Sequence, residues 1–289
     1  MDQTGQGYLC THCDILYPKM NNIVRFIIDP PEIVSAFPED EIESTKLVEN
    51  QHFWFRIRKA IIHEILPKYL PNSSHLIDAG CGTGYLSREM KNIGFNVDCG
   101  DLSLNSLEYC ATKNSGQNYY QFNVSYPLFS HEFDGYCLFD VLEHINDDIT
   151  VLKNIHMSLT KEGYLFLIVP GGKAIWTDMD DFTGHYRRYS PEELKMKLES
   201  AGFHILRMSY FMSLLYPFMC ILSLHSKMMK KDTNRQKNCE ISQHYFWKIP
   251  SLSINNILYH IFRIEIQLIK WTNLPFGTSL LCIAQKGDK

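Results

Sequence analysis

The sequence lacks a second C-x-x-C. Cys10 and Cys13 make the one such pair, and a tetrahedral zinc site needs further ligands, so these two with His12 form an incomplete set. A metal-free segment that packs on the main domain is the expectation, and no metal is assigned anywhere in the chain. The first twenty residues lack a basic start followed by an apolar stretch, which argues against a secretory signal. The uncharged segment Tyr210 to Leu224 is too short, and too broken by Pro217, to read as a membrane span. Positive charge is not in excess: 28 Lys and Arg stand against 32 Asp and Glu, a net charge of −4, which argues against a general nucleic-acid binder. Repeats and low-complexity tracts are absent. Nine cysteines, mostly isolated in apolar patterns, read as reduced thiols and point to the cytoplasm. What remains is a chain of 289 residues, 45% apolar and 21% charged, long enough for one large domain with additions.

The most informative stretch is Leu76-Ile77-Asp78-Ala79-Gly80-Cys81-Gly82-Thr83-Gly84-Tyr85-Leu86. A short apolar run ends in an acid, three glycines alternate, and helix formers follow: strand, tight loop, helix. Alternating glycines let the chain reverse and bring bare N–H groups up to a ligand. The spacing is not the G-x-G-x-x-G of dinucleotide folds, and the Lys-Ser/Thr of a P-loop is missing. Asp101 falls where the next strand should end, placed to accept both hydroxyls of a ribose. Together these residues resemble the S-adenosylmethionine site of class I methyltransferases. The resemblance implies an α/β fold, a doubly wound seven-stranded Rossmann-like sheet, with S-adenosyl-L-methionine as cofactor and S-adenosyl-L-homocysteine as product. It implies that Gly80, Cys81, Gly82 and Gly84 hold the methionine end while Asp78 fixes the loop. It further places Leu102 against the adenine, Asn123 and Val124 at the adenine edge, and Asp140 and Val141 at the switch point of the sheet.

The pattern along the chain supports that fold. Residues 1–45 read as a ribbon remnant and a Pro- and acid-rich linker. Residues 46–70 read as a helix whose apolar face includes Phe53, Ile57, Ile61 and Ile65. Its segment Glu49-x-x-His52-Phe53-Trp54-Phe55-x-x-Arg58 resembles the helix that covers the cofactor in related methyltransferases. Strands are predicted near 74–78, 96–100, 118–122, 134–139, 163–169, 203–208 and 278–285, with helices near 84–92, 104–113, 148–159 and 190–201. The core is thus 46–208, and its last strand returns in 276–289. Between them, residues 209–275 are too long for a hairpin loop and contain a helical pattern over Asn255 to Trp271. This helical insertion holds eight Lys and Arg against three Asp and Glu, a balance of +5 that leaves −9 for the rest. A lid on the core, a homodimer element, or peripheral membrane contact through 210–231 would each suit an apolar, basic segment.

The acceptor side is read from Trp176 to Tyr189, after the fifth strand. His185 is a candidate base, because imidazole exchanges its proton near neutral pH. Arg187 and Arg188 could grip an anionic small-molecule acceptor, or could form ion pairs that fasten the loop. Gly184-His185-Tyr186-Arg187-Arg188-Tyr189-Ser190, with Leu274 to Leu280 near the end, is similar to the signature of a bacterial class I group. His144, with Glu143 and Asp140, resembles the D/E-x-x-E-H of quinone-pathway O-methyltransferases, some of which use a divalent metal; a helix-entry segment beside the cofactor is the preferred reading. The expected activity is O-methylation of a small molecule with His185 as base. N-methylation of an amine, or a cofactor-binding pseudoenzyme or partner subunit, are the alternatives.

Overall fold

The computed structural model describes residues 2–4, 7–10, 14–27, 39–229 and 249–287. Its centre is a mixed sheet of eleven strands, against the seven that the sequence leads one to expect. In chain order these are β1 (Asp2–Thr4), β2 (Gly7–Leu9), β3 (Leu16–Met20), β4 (Ile23–Arg25), β5 (His75–Ala79), β6 (Asn96–Asp101), β7 (Tyr119–Gln121), β8 (Phe133–Phe139), β9 (Leu159–Pro170), β10 (Phe203–Phe211) and β11 (Ser279–Lys286). They lie in the order β1-β2-β3-β4-β7-β6-β5-β8-β9-β11-β10. From β4 to β9 all neighbours run parallel; β1 to β4 are joined by antiparallel pairings, and β11 runs antiparallel to both β9 and β10.

The four extra strands explain the difference in count. Residues 7–25 do not hang off as a separate module: β4 pairs with β7, Ile23 opposite Tyr119, and extends the core sheet at its edge. Phe26 then packs edge-on to Phe129, with ring centroids 6.1 Å apart, and lies 5.9 Å from Tyr120. An otherwise unpaired edge is thereby covered. Cys10 is half-buried, while His12 and Cys13 lie outside the described residues, as do residues 28–38 of the expected linker.

The helices are α1 (Glu39–Val48), α2 (Phe53–Ile65), α3 (Tyr85–Asn92), α4 (Leu104–Thr112), α5 (Asp148–Ser158), α6 (Asp178–Phe182), α7 (Pro191–Ser200), α8 (Leu215–Met229) and α9 (Leu252–Leu268). Strand residues alternate between two cores, as the pleat requires. Leu165, Leu167 and Val169 of β9 join Val151, Leu152 and Leu194 from α5 and α7. Phe166 and Ile168 between them join Ile57, Ile61, Phe262 and Ile266 from α2 and α9. Both faces are therefore buried, which is why the central strands read as continuous apolar runs.

The single helix expected over 46–70 is two helices with a break at residues 49–52. His52 caps α2: its Nδ1 accepts from Trp54 N–H at 3.2 Å. Burial pushes the pKa of this imidazole down to about 4 from an ordinary 6.5. Between those values the unfolded chain binds a proton that the fold excludes, so stability is lost as pH falls through the window. Protonation would also turn the capping acceptor into a donor. His52→Asn keeps an acceptor and removes the titration. Its denaturation midpoint should fall less than the wild-type midpoint between about pH 7 and about pH 5 in chemical unfolding.

The second half of the insertion is fastened to the core. Asn255 accepts from Phe53 N–H at 2.8 Å and donates to Gln51 C=O at 2.8 Å, binding α9 to the break before α2. Glu265 accepts from Ser213 N–H and Oγ, which ties α9 to the segment after β10. No helix among the described residues is long and apolar enough to cross a membrane.

Candidate active site

β5 ends at Ala79, and the loop Gly80–Gly84 turns the chain into α3. Gly80 has φ +78°, and a Cβ there would sit 2.3 Å from Val141 Cγ2, so only glycine lets the ends of β5 and β8 approach. At Gly82, φ is +53° and a Cβ would meet nothing within 4 Å, so this part of the loop faces open space. Gly82 N–H and Ser103 N–H donate to the two oxygens of Asp101, each at 2.8 Å. Burial raises the pKa of Asp101. Asp78 accepts from Ser87 Oγ at 2.5 Å, and burial pushes its pKa up to about 7. Gly84 caps α3 in the left-handed region. Beneath the loop, Cys81 Sγ lies 3.9 Å from Cys110 Sγ.

Glu49, in the break between α1 and α2, receives the Thr83 hydroxyl and, at 2.8 Å, the Arg88 guanidinium. The covering segment is thus tied to the glycine loop itself. On the other flank, Leu102 C=O accepts from Gln121 Nε2 at 3.2 Å, and Asn123 Oδ1 accepts from Ser125 N–H at 2.9 Å beside the half-buried Val124. Asp140 closes β8 with φ +56°, an unusual conformation for a residue other than glycine. Arg58 holds it there, donating from Nε and Nη2 to its two oxygens at 2.7 and 2.9 Å. The Arg58 guanidinium also lies 3.1 Å from the Trp54 ring centroid.

The second group of residues gathers at the carboxyl end of the sheet around the turn Leu142–His144 and α6. His185 Nδ1 lies 2.8 Å from Asp180 Oδ1. Burial alone would raise the Asp180 pKa, but the His185 hydrogen bond, the Arg188 charge and the Thr177 N–H together hold it below the ordinary value. An ionised carboxylate only accepts, so the neutral imidazole carries its proton on Nδ1 and keeps its lone pair on Nε2. That nitrogen is 3.9 Å from Glu143 Oε1, and the His144 and His185 rings stand 4.7 Å apart. Burial, reinforced by the neighbouring Asp140, drives the Glu143 pKa well up. Burial, reinforced by His185, pushes His144 down to about 4. Ligand atoms of Glu143, His144 and His185 fall within 4.8 Å of one another, a set able to hold a divalent cation.

The two arginines are engaged within the protein. Arg187 donates to Asp148 Oδ2 and to Asn146 C=O, each at 2.7 Å. Arg188 donates to Asp180 Oδ1 at 2.8 Å and to Gly171 C=O at 3.2 Å. Of the two readings open for them, anion grip or loop fastening, these contacts perform the second. Two partnerships escape sequence reading: Asp180 as the group that orients His185, and Arg58 as the clamp on Asp140. Asp180 carried a usable signal, five residues before His185 and closing the capping box that Thr177 opens. The Arg58 pairing spans 82 positions and has none.

Residues 50–207 match a family model described as a methyltransferase domain. No curated protein matches the chain. Among solved structures, an S-adenosylmethionine-dependent methyltransferase from Archaeoglobus fulgidus is 16% identical over 86% of this chain and 100% of its own, with a TM-score of 0.52. The phosphoethanolamine N-methyltransferase 2 of Haemonchus contortus, in complex with phosphomonomethylethanolamine and S-adenosylhomocysteine, is 16% identical over 88% of this chain and 59% of its own, with a TM-score of 0.56. At such identities the likeness establishes the fold. The family match covers more than half of the chain, which therefore belongs to the methyltransferase-domain family and is an S-adenosylmethionine-dependent methyltransferase.

Proposed function

We propose that this enzyme methylates a hydroxyl oxygen of a small-molecule acceptor, with His185 as general base and Asp180 as the residue that positions it. The observation that carries the reading is the 2.8 Å contact between His185 Nδ1 and an Asp180 carboxylate held ionised, which leaves Nε2 free to take a proton. Two features fit the cofactor: the open space in front of Gly82, and the buried Arg58 Nη1, which has no hydrogen-bond partner among the described residues. Asp101 would hold the ribose, the glycine loop and Asp78 the methionine end, and Arg58 Nη1 the carboxylate. Leu102, Asn123 and Val124 would line the adenine. When bound, the cofactor supplies an electrophilic methyl on sulfonium. The enzyme's own work is to align the acceptor oxygen, exclude water and remove the hydroxyl proton to His185 Nε2 as the new O–C bond forms. Methyl transfer from labelled S-adenosylmethionine to a panel of hydroxylated and amine metabolites tests this reading; label entering amines alone would replace oxygen by nitrogen as the acceptor atom.

The convergence of Glu143, His144 and His185 favours one second reading, a divalent cation that lowers the acceptor hydroxyl's pKa while His185 serves as ligand. The two separate cleanly. With His185 as base, initial rates should be unchanged after exhaustive EDTA treatment and gel filtration. Loss of activity restored by a divalent metal would move His185 from base to ligand.

A further inference from the structure

α8 is oriented the wrong way round for a helix that merely seals a core. Among its described side chains Ser223 is the buried one: the hydroxyl donates to Trp176 C=O at 2.6 Å and reaches Ala174 C=O at 3.1 Å. Ser226 donates to Asp178 Oδ1 at 2.8 Å. The polar side thus holds α8 on the loop that leads into the His185 site. Its apolar side faces outward: Phe218 is 58% exposed, Ile221 67%, Leu224 61% and Met228 71%. At 100° per residue these, with Leu222, occupy an arc of about 160° opposite Ser223. α9 shares the outward apolar side but is seated by apolar residues. Phe262 and Ile266 pack into the core, Ile257, Ile264 and Leu268 face out, and Trp271 just beyond is 88% exposed. A lid that buried the insertion's apolar residues on the core would leave no such faces, and apolar patches of this kind mark a surface that meets a partner.

We infer that this face docks on an anionic lipid surface. Charge selects that occupant. By sequence, residues 209–275 carry +5 and the rest of the chain −9; Arg263 and Lys270 are paired with Glu64, so the attraction to a negative leaflet comes mainly from 230–248, the stretch joining α8 to α9, with five Lys and Arg against two Asp and Glu. A second copy of the chain meets the opposite condition. A two-fold contact sets the same patch against itself and brings one positively charged segment up to another. An exposed Trp beside an apolar helix face suits the boundary between acyl chains and headgroups. Docked in this way, α8 brings the loop it carries to the bilayer, so acceptors that partition into membranes would reach the His185 site without crossing bulk water. The surface is independent of which atom is methylated, and its test is of binding rather than turnover.

The test is co-sedimentation of the full chain with phosphatidylcholine vesicles, with and without phosphatidylglycerol, alongside light scattering. Binding should require phosphatidylglycerol and weaken as salt rises. The doubly substituted Ile221→Asp, Leu224→Asp protein alters exposed positions only and should keep the wild-type circular dichroism. Its vesicle affinity should drop by about tenfold or more, since it trades buried apolar area for negative charge. Wild-type protein that stays in the supernatant, or a folded variant that binds as well as wild type, overturns the inference. A wild-type dimer that the double substitution converts to monomer, with no vesicle binding by either, overturns it in favour of a second copy.

Discussion

His185→Ala should lower methyl transfer by about 10² or more while leaving S-adenosylhomocysteine affinity unchanged. The magnitude is that of losing a positioned base. The selectivity follows from where the residue sits: its contacts are Asp180, Glu143 and the His144 ring, and none is to the glycine loop or to Asp101. The loss should fall mainly on kcat, because the imidazole acts as the acceptor proton leaves. Asp180 acts through His185 and is a positioning residue. Asp180→Asn would offer an amide where the imidazole needs a carboxylate, so kcat should fall with KM little changed and Asp180→Glu should recover part of the loss, a pattern that loosened loop packing alone would not produce.

Asp101→Ala should weaken S-adenosylmethionine binding by about 1.5–3 kcal/mol, roughly 10- to 150-fold in Kd. Each Asp101 oxygen already accepts a backbone N–H, from Gly82 and from Ser103, so the carboxylate is held rigidly before any ligand arrives. Alanine removes the ribose acceptor and also releases Gly82, which lets the loop relax away from the geometry that faces the cofactor. Asp101→Asn keeps one acceptor and should lose less. The measurement is calorimetric, and the circular dichroism of each variant controls for folding.

The features that the sequence showed best are local ones. The turn from β5 to α3 is written in consecutive residues, because three alternating glycines can hardly serve another purpose between an apolar strand and a helix. The β9 and β11 runs were visible because both faces of those strands are buried. Pairings across distance were not visible. β4 joins β7 across about a hundred positions, so the sequence showed a segment packed on the main domain but not the strand pairing by which it extends the sheet. The break at 49–52 is set by Thr83, Arg88 and Asn255, tertiary partners that override a continuous helical pattern. Whether Arg187 and Arg188 grip an anion or fasten the loop stayed open in the sequence, because nothing nearby revealed that Asp148 would lie against the first. The exposed side of α8 was hidden for the same reason. Period alone says that a helix has an apolar face, not that Ser223 and Ser226 will seat the other one.

The central claim is a division of labour, with the cofactor held at Asp101 and the glycine loop and the acceptor's proton taken at His185. Titration of S-adenosylhomocysteine into wild type, Asp101→Ala and His185→Ala tests it most directly, because it requires no knowledge of the acceptor. The account predicts binding by wild type, unchanged affinity in His185→Ala and roughly 10- to 150-fold weaker affinity in Asp101→Ala. No binding by folded wild-type protein, or an equal loss in both variants, would contradict it.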